Sequence, residues 1–93
     1  MRRRVVPSRG FLRDLKKLRG RNLSLAESVD ATLSVLQLDP FHPGLRTHKL
    51  KGELAAYWSC TVAYDLRILF RFIRQPDGEE VLLISLGTHD DVY

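Results

Sequence analysis

At 93 residues with 44% hydrophobic side chains, the chain has apolar material for one core and is read as a single domain over 1–93. No apolar run approaches the roughly 20 residues of a bilayer span, and no long apolar stretch follows the basic start Met1–Pro7, which argues against a membrane span or a secretory leader. The single Cys60 excludes an internal disulfide and suits a reducing cytoplasm, where it is expected as a small core residue in a strand.

The net charge of +4 is unevenly spread. Residues 1–21 carry nine of the fifteen Lys and Arg against one acid, Asp14; the remainder carries six basic residues against ten acidic ones. Such a block suits a polyanion, because each neutralised phosphate releases condensed counterions. A solvated helix face or an acidic protein partner accounts for the charge equally well.

In chain order, residues 2–6 read as a strand ending at Pro7. Ser8 caps a helix through Arg19 with Gly20 as its stop, and Phe11, Leu12, Leu15 and Leu18 form its apolar stripe. Ser24-Leu25-Ala26-Glu27 has the pattern of a capping box and opens a second helix ending near Asp39-Pro40, lined by Leu25, Val29, Leu33 and Leu36. The short link favours an antiparallel helical hairpin.

After Pro43-Gly44 the periodicity changes from helical to alternating. Residues 46–50 suggest a short strand, Lys51-Gly52-Glu53 a turn, and 56–63 a second strand. Leu66, Ile68, Phe70 and Phe72 then alternate with Asp65, Arg67, Leu69 and Arg71, which predicts one apolar and one charged sheet face. Gln75-Pro76-Asp77-Gly78 is a hairpin turn, and Val81–Leu86, apolar on both sides, a central strand. The expected class is α+β: a strand and a two-helix hairpin packed on a four- to five-stranded, mainly antiparallel sheet.

No paired histidine spacing, CxxC or phosphate-binding glycine loop occurs, so neither a metal nor a cofactor is expected. Polar residues concentrate instead on the meander. Lys49 and Lys51 flank its first strand beside His48; Asp65, Arg67 and Arg71 share one face by the two-residue period. Gly87 lets the last strand bend, which would swing His89 over the sheet. Cutting RNA needs a base for the 2′-hydroxyl, an acid for the departing 5′-oxygen and a fixed cation for the phosphate. Histidine titrates near neutrality and arginine meets two phosphate oxygens at once. The same residues also fit blander roles: His89 as a surface histidine, Asp65 and Arg67 as an ion pair, Trp58 as packing, His42 as loop structure.

Three segments sharpen this. His48-Lys49-Leu50-Lys51-Gly52, Tyr64-Asp65-Leu66-Arg67-Ile68 and Gly87-Thr88-His89-Asp90-Asp91-Val92-Tyr93 together resemble the RelE/ParE toxin superfamily, in particular its YafQ-like branch. The resemblance covers nearly the whole chain. It implies a type II toxin–antitoxin protein: a ribosome-dependent messenger RNA endonuclease held silent by an antitoxin. His48, Asp65 and His89 match the catalytic positions of that pattern, and Arg67 the strand arginine that meets phosphate. Tyr93 stands where the closing aromatic does. Lys49, Lys51 and Arg71 would contact the message; Lys16 and Lys17 would hold ribosomal RNA by charge. Two positions depart: Thr61 stands where the pattern has a second histidine, and Ser85 where it has an arginine. The alternative function is a ParE-like toxin that inhibits DNA gyrase without catalysis. The set His48, Asp65 and His89, which a non-catalytic inhibitor has no chemical reason to carry, favours the nuclease. A catalytically dead RNA-binding module is the third reading, favoured by Thr61 and Ser85.

Overall fold

The chain threads a strand, two helices and a meander in succession. The computed structural model describes residues 3–88: β1 (Arg4–Pro7), α1 (Arg9–Arg21), α2 (Leu23–Leu38), β2 (His48–Lys49), β3 (Trp58–Ala63), β4 (Leu66–Gln75) and β5 (Gly78–Gly87). The strands form one sheet in the order β1-β5-β4-β3-β2. β1 runs parallel to β5 and the remaining pairs are antiparallel. β5 is therefore central, as its two-sided apolar character predicts, and the α+β class is as read.

Both helices lie on one face of this sheet. Phe11 and Leu15 of α1 and Ala26, Val29 and Leu36 of α2 pack with Cys60, Ile68, Phe70, Val81, Leu83 and Leu86 in a single buried cluster. Burying these side chains contributes about 1.5–3 kcal/mol for each large aliphatic or aromatic one. Phe41, Trp58 and Phe72 close the side of the core, with ring centroids 5.4–5.8 Å apart. Trp58 is thus packing.

Several boundaries differ from the sequence expectation, each for a local reason. α1 does not stop at Gly20. It continues to Arg21, and Asn22, in extended conformation, caps both helices: its N–H donates to the Leu18 carbonyl and its side chain accepts from Leu25 N at 3.1 Å. The capping box at Ser24 is consequently not formed; Ser24 sits inside α2, and its carbonyl accepts from Ser28 Oγ. The strand expected over 46–50 shrinks to His48–Lys49, preceded by a 3₁₀ turn at Pro43–Leu45 that His42 caps through Gly44 N at 3.0 Å. Asp65 is not on β4. It lies with Tyr64 in the turn before that strand, exposed, so it does not share the strand face of Arg67 and Arg71.

β5 carries the feature that organises the rest. Leu69 faces Ser85 and Phe70 faces Leu83, so Ile84 is an extra residue, a β-bulge. The bulge inverts the strand's phase. Val81 and Leu83 point into the core before it, and Leu86 does so after it, leaving Ser85 opposite Leu69 on the other face. Beyond Leu83, where pairing with β1 ends, α1 supplies hydrogen-bond partners to β5. Ser8 Oγ donates to the Ile84 carbonyl at 2.9 Å while accepting from Phe11 N, and Asp14 Oδ2 accepts from Leu86 N at 3.0 Å. Gly10 allows this closeness, because a Cβ there would meet the Ile84 carbonyl oxygen at 3.3 Å.

Replacing Asp14 by alanine leaves the part-buried Leu86 N–H without its acceptor and should cost about 1–3 kcal/mol in urea unfolding. Asp14→Asn, whose amide oxygen still accepts, should retain most of that stability. Equal stability of all three proteins would show the bond to be dispensable. Cys60 gives a second test. Burial pushes its thiol up from 9.0 to about 12, against a smaller opposing effect of a backbone hydrogen bond with Ile68. With the folded value above the unfolded one, this contribution is complete below about pH 9 and is lost as pH rises toward about 12. Cys60→Ala should flatten the stability decline across that window, and native Cys60 should resist alkylation at pH 8 until the protein unfolds; rapid native labelling would contradict its burial.

Candidate functional site

The face of the sheet turned away from the helices brings together three of the predicted site residues, His48, Arg67 and Arg71. Register puts His48, Ser59, Leu69 and Ser85 in one row across β2, β3, β4 and β5. Thr61, Arg67 and Gly87 form the next row toward the end where β5 exits. Directly paired residues project to the same side, so the two rows share one surface. Arg71 lies two residues from Leu69 on β4, on that same side.

Arg67 is fixed by β3. A bulge at Val62 separates Thr61 from Ala63, and Arg67 Nη1 donates to Thr61 Oγ1 at 2.9 Å. The ion pair considered between Arg67 and Asp65 is absent among the described residues; the arginine's partner is the hydroxyl. That bond uses one of five guanidinium N–H groups, and the remaining donors suit a phosphate. Arg71 stands over the Tyr57 ring, 5.7 Å from its centroid, and among the described residues its buried Nε has no hydrogen-bond partner. Between the two arginines Leu69 and Ser59 are buried, and Ser59 Oγ also has no partner among the described residues.

His48 is exposed on β2, with Nδ1 3.1 Å from the Arg46 carbonyl. A carbonyl only accepts, so Nδ1 carries the proton in the neutral ring and Nε2 the lone pair. Arg46 itself adopts the left-handed conformation, φ 51°, at the end of the 3₁₀ turn. That is an uncommon conformation for a non-glycine residue, and here it precedes Thr47 and His48 by only one and two positions. Backbone separation between His48 and Arg67 is roughly 12 Å, from two strand spacings and two residues of rise.

Other expected members are placed elsewhere. Lys49 pairs with Trp58, a core-side residue, and so points away from His48; Lys51 is exposed beyond β2. Lys16 and Lys17 are exposed on α1, on the opposite side of the sheet. Asp65 and Tyr64, the latter 98% exposed, form the turn beside Arg67. Gly87 ends β5 next to Arg67 without leaving the strand; the course of the chain to His89 and Tyr93 lies outside the described residues. The N-terminal charge block is partly neutralised, because Arg3 pairs with Glu79, Arg4 with Glu80 and Arg19 with Asp30. Sequence reasoning missed Ser59, whose buried hydroxyl only strand register reveals, and the structural use of Asp14, the sole acid among nine basic neighbours.

The topology defines a small α+β fold, two helices on one face of a five-stranded mixed sheet. The curated relative "Putative toxin YafQ" of Haemophilus influenzae is 26% identical over 89 residues, covering 92% of this chain and 87% of its own length. Crystalline YafQ from E. coli strain BL21(DE3) superposes with a TM-score of 0.80 at 16% identity, covering 98% of each chain. The toxin fold of the E. coli DinJ-YafQ toxin-antitoxin complex gives 0.78 at 16% identity, over 100% of this chain and 99% of that one. Residues 3–93 match the family described as "Bacterial toxin of type II toxin-antitoxin system, YafQ", and the chain belongs to that family.

The Thr61–Arg67 bond is open to measurement. In a double-mutant cycle, Thr61→Val and Arg67→Ala should show a coupling of about 0.5–1.5 kcal/mol in urea unfolding. Strict additivity would mean that the hydroxyl does not hold the guanidinium.

Proposed function

We propose that this toxin is a ribosome-dependent endoribonuclease that cuts messenger RNA by attack of a 2′-hydroxyl on the adjacent phosphate. The observation that carries the reading is the shared surface of His48 and Arg67, beside the strand end that leads in sequence to His89. Family membership supports it as well.

In this mechanism His48 and His89 divide the proton transfers. One accepts the 2′-hydroxyl proton, and the other returns a proton to the 5′-oxygen as the P–O bond breaks. His48 is suited to the base role, because the Arg46 carbonyl holds its Nδ1–H and leaves the Nε2 lone pair as the basic site. Arg67 stabilises the charge that builds on the phosphate, and its tie to Thr61 orients the guanidinium before substrate arrives. Asp65, in the exposed turn, lies one residue before the strand that presents Arg67 and orients a protonated histidine or the attacking sugar. Arg71 and Tyr57 extend the cationic surface along the strand, where a neighbouring phosphate or base is held. Tyr93 stacks on an exposed base, and Lys49 and Lys51 line the outer edge.

The whole of 1–93 acts as one toxin domain in the cytoplasm. Its partners are the ribosome, the message and a cognate antitoxin; the solved E. coli relative is itself a complex with DinJ. Five cations of α1, Arg9, Arg13, Lys16, Lys17 and Arg21, have no ion-pair partner among the described residues and are available to ribosomal RNA or to an acidic antitoxin.

Induction of the wild-type toxin should arrest growth and generate new 5′ ends inside translated messages, and His89→Ala should abolish both while still folding and binding its antitoxin. A folded His89→Ala protein that still arrests growth with intact messages would overturn the nuclease reading in favour of a non-catalytic, gyrase-type toxin.

A further inference from the structure

On the helix side of the sheet a cleft of about 350 Å³ opens where β5 ends. Asp14, Lys17 and Arg21 form one wall as a stripe along α1, spaced three and four residues apart; Leu66, Gly87 and Thr88 form the other. The volume is that of a small-ligand site, and its chemistry is graded. At the inner end Asp14 is engaged with Leu86 N. One and two turns further out, Lys17 and Arg21 carry positive charge that no carboxylate neutralises among the described residues, in contrast to Arg19, which pairs with Asp30. Their combined charge exceeds the roughly half negative charge of the helix C-terminus near which they stand. Gly87 pairs directly with Arg67, so the cleft and the nuclease surface are two sides of the same strand end.

We propose that this cleft is a phosphodiester-binding subsite: Lys17 and Arg21 grip the backbone of an RNA strand that passes around the end of β5 from the Arg67 side. The subsite rests on the nuclease reading for its position relative to the cut, but not for its chemistry. Lysine acts as a point charge and arginine as a two-pronged donor, so the grip is indifferent to sequence and holds a phosphate flanking the scissile one. Asp14 keeps β5 against α1, which fixes the spacing between the subsite and the cutting face.

The test uses the His89→Ala protein, so that binding is read without cleavage, and fluorescence anisotropy of a labelled single-stranded oligoribonucleotide from 50 to 200 mM salt. Adding Lys17→Ala and Arg21→Ala should weaken binding roughly tenfold and make the slope of log affinity against log salt shallower by about 1.4, two contacts at about 0.7 each. The charge-matched pair Arg4→Ala and Arg74→Ala, at the other end of the sheet where they face Glu80 and Glu79, should leave the slope unchanged. A cleft variant with wild-type affinity and slope, or a control pair that loses as much, would overturn the subsite. A second arm with an RNA duplex identifies the source: preference for the single strand assigns the grip to the message, preference for the duplex to ribosomal RNA. Message cleavage in cells that depends on His89, together with an unaltered salt slope, would sink the subsite alone. Absence of cleavage by the wild type would sink the nuclease reading and leave the binding result standing.

Discussion

The bulge at Ile84 is the constraint on which the rest of the architecture turns. At the bulge β5 also outruns β1, whose pairing ends at Leu83, and a backbone group left without a partner there carries a desolvation cost of about 1–3 kcal/mol. Here α1 supplies partners: Ser8 gives a hydroxyl to the Ile84 carbonyl, and Asp14 accepts from Leu86 N. The same serine caps the helix, so the start of α1 and the bulge of β5 are joined at one side chain. Because the bulge inverts the strand's alternation, Leu86 reaches the core while Ser85 falls in the row of His48 and Gly87 in the row of Arg67. The position at which β5 delivers the chain toward His89 is thus set by a helix on the far side of the sheet.

This linkage gives a physical reason for the odd composition of the N-terminal third. The one acid of this helix, Asp14, is used not in an ion pair among the described residues but in docking the helix on β5, through Leu86 N. The remaining cations divide by environment. Arg3, Arg4 and Arg19 are taken up in ion pairs, which at these exposures are worth less than about 1 kcal/mol each. Those on α1 without an ion pair among the described residues form a positively charged surface, adjacent to but distinct from the sheet face.

Much of the fold was legible in the sequence because period and punctuation agreed. The stripe of Phe11 and Leu15, the alternation of Leu66 to Phe72 and the Pro76-Asp77 turn each place their elements correctly. The helix junction was misread because two capping residues competed: Ser24 has the capping-box spacing, but Asn22 satisfies both helices at once, and Gly20 adopts no left-handed conformation. The bulges at Val62 and Ile84 have no signature in one strand alone, since they are properties of pairing. On the sheet face, two-residue periodicity joined Arg67 and Arg71, while His48 was singled out by its neighbours and by resemblance. Lys49 lies on β2 as expected but on the opposite side from His48, and Asp65 falls in the turn that precedes β4. The role of Thr61 could not be read, because a hydroxyl paired with an arginine six residues away depends on strand register.

In the proposed reaction the message is cut by its own 2′-hydroxyl under the control of this sheet face. The most direct measurement is the chemical nature of the fragment ends when purified toxin acts on ribosomes programmed with a defined message. Attack by the 2′-hydroxyl leaves a 2′,3′-cyclic phosphate, or the 3′-phosphate formed from it, on the upstream fragment and a 5′-hydroxyl on the downstream one. Fragments ending instead in a 3′-hydroxyl and a 5′-phosphate, the products of attack by water, would contradict the account.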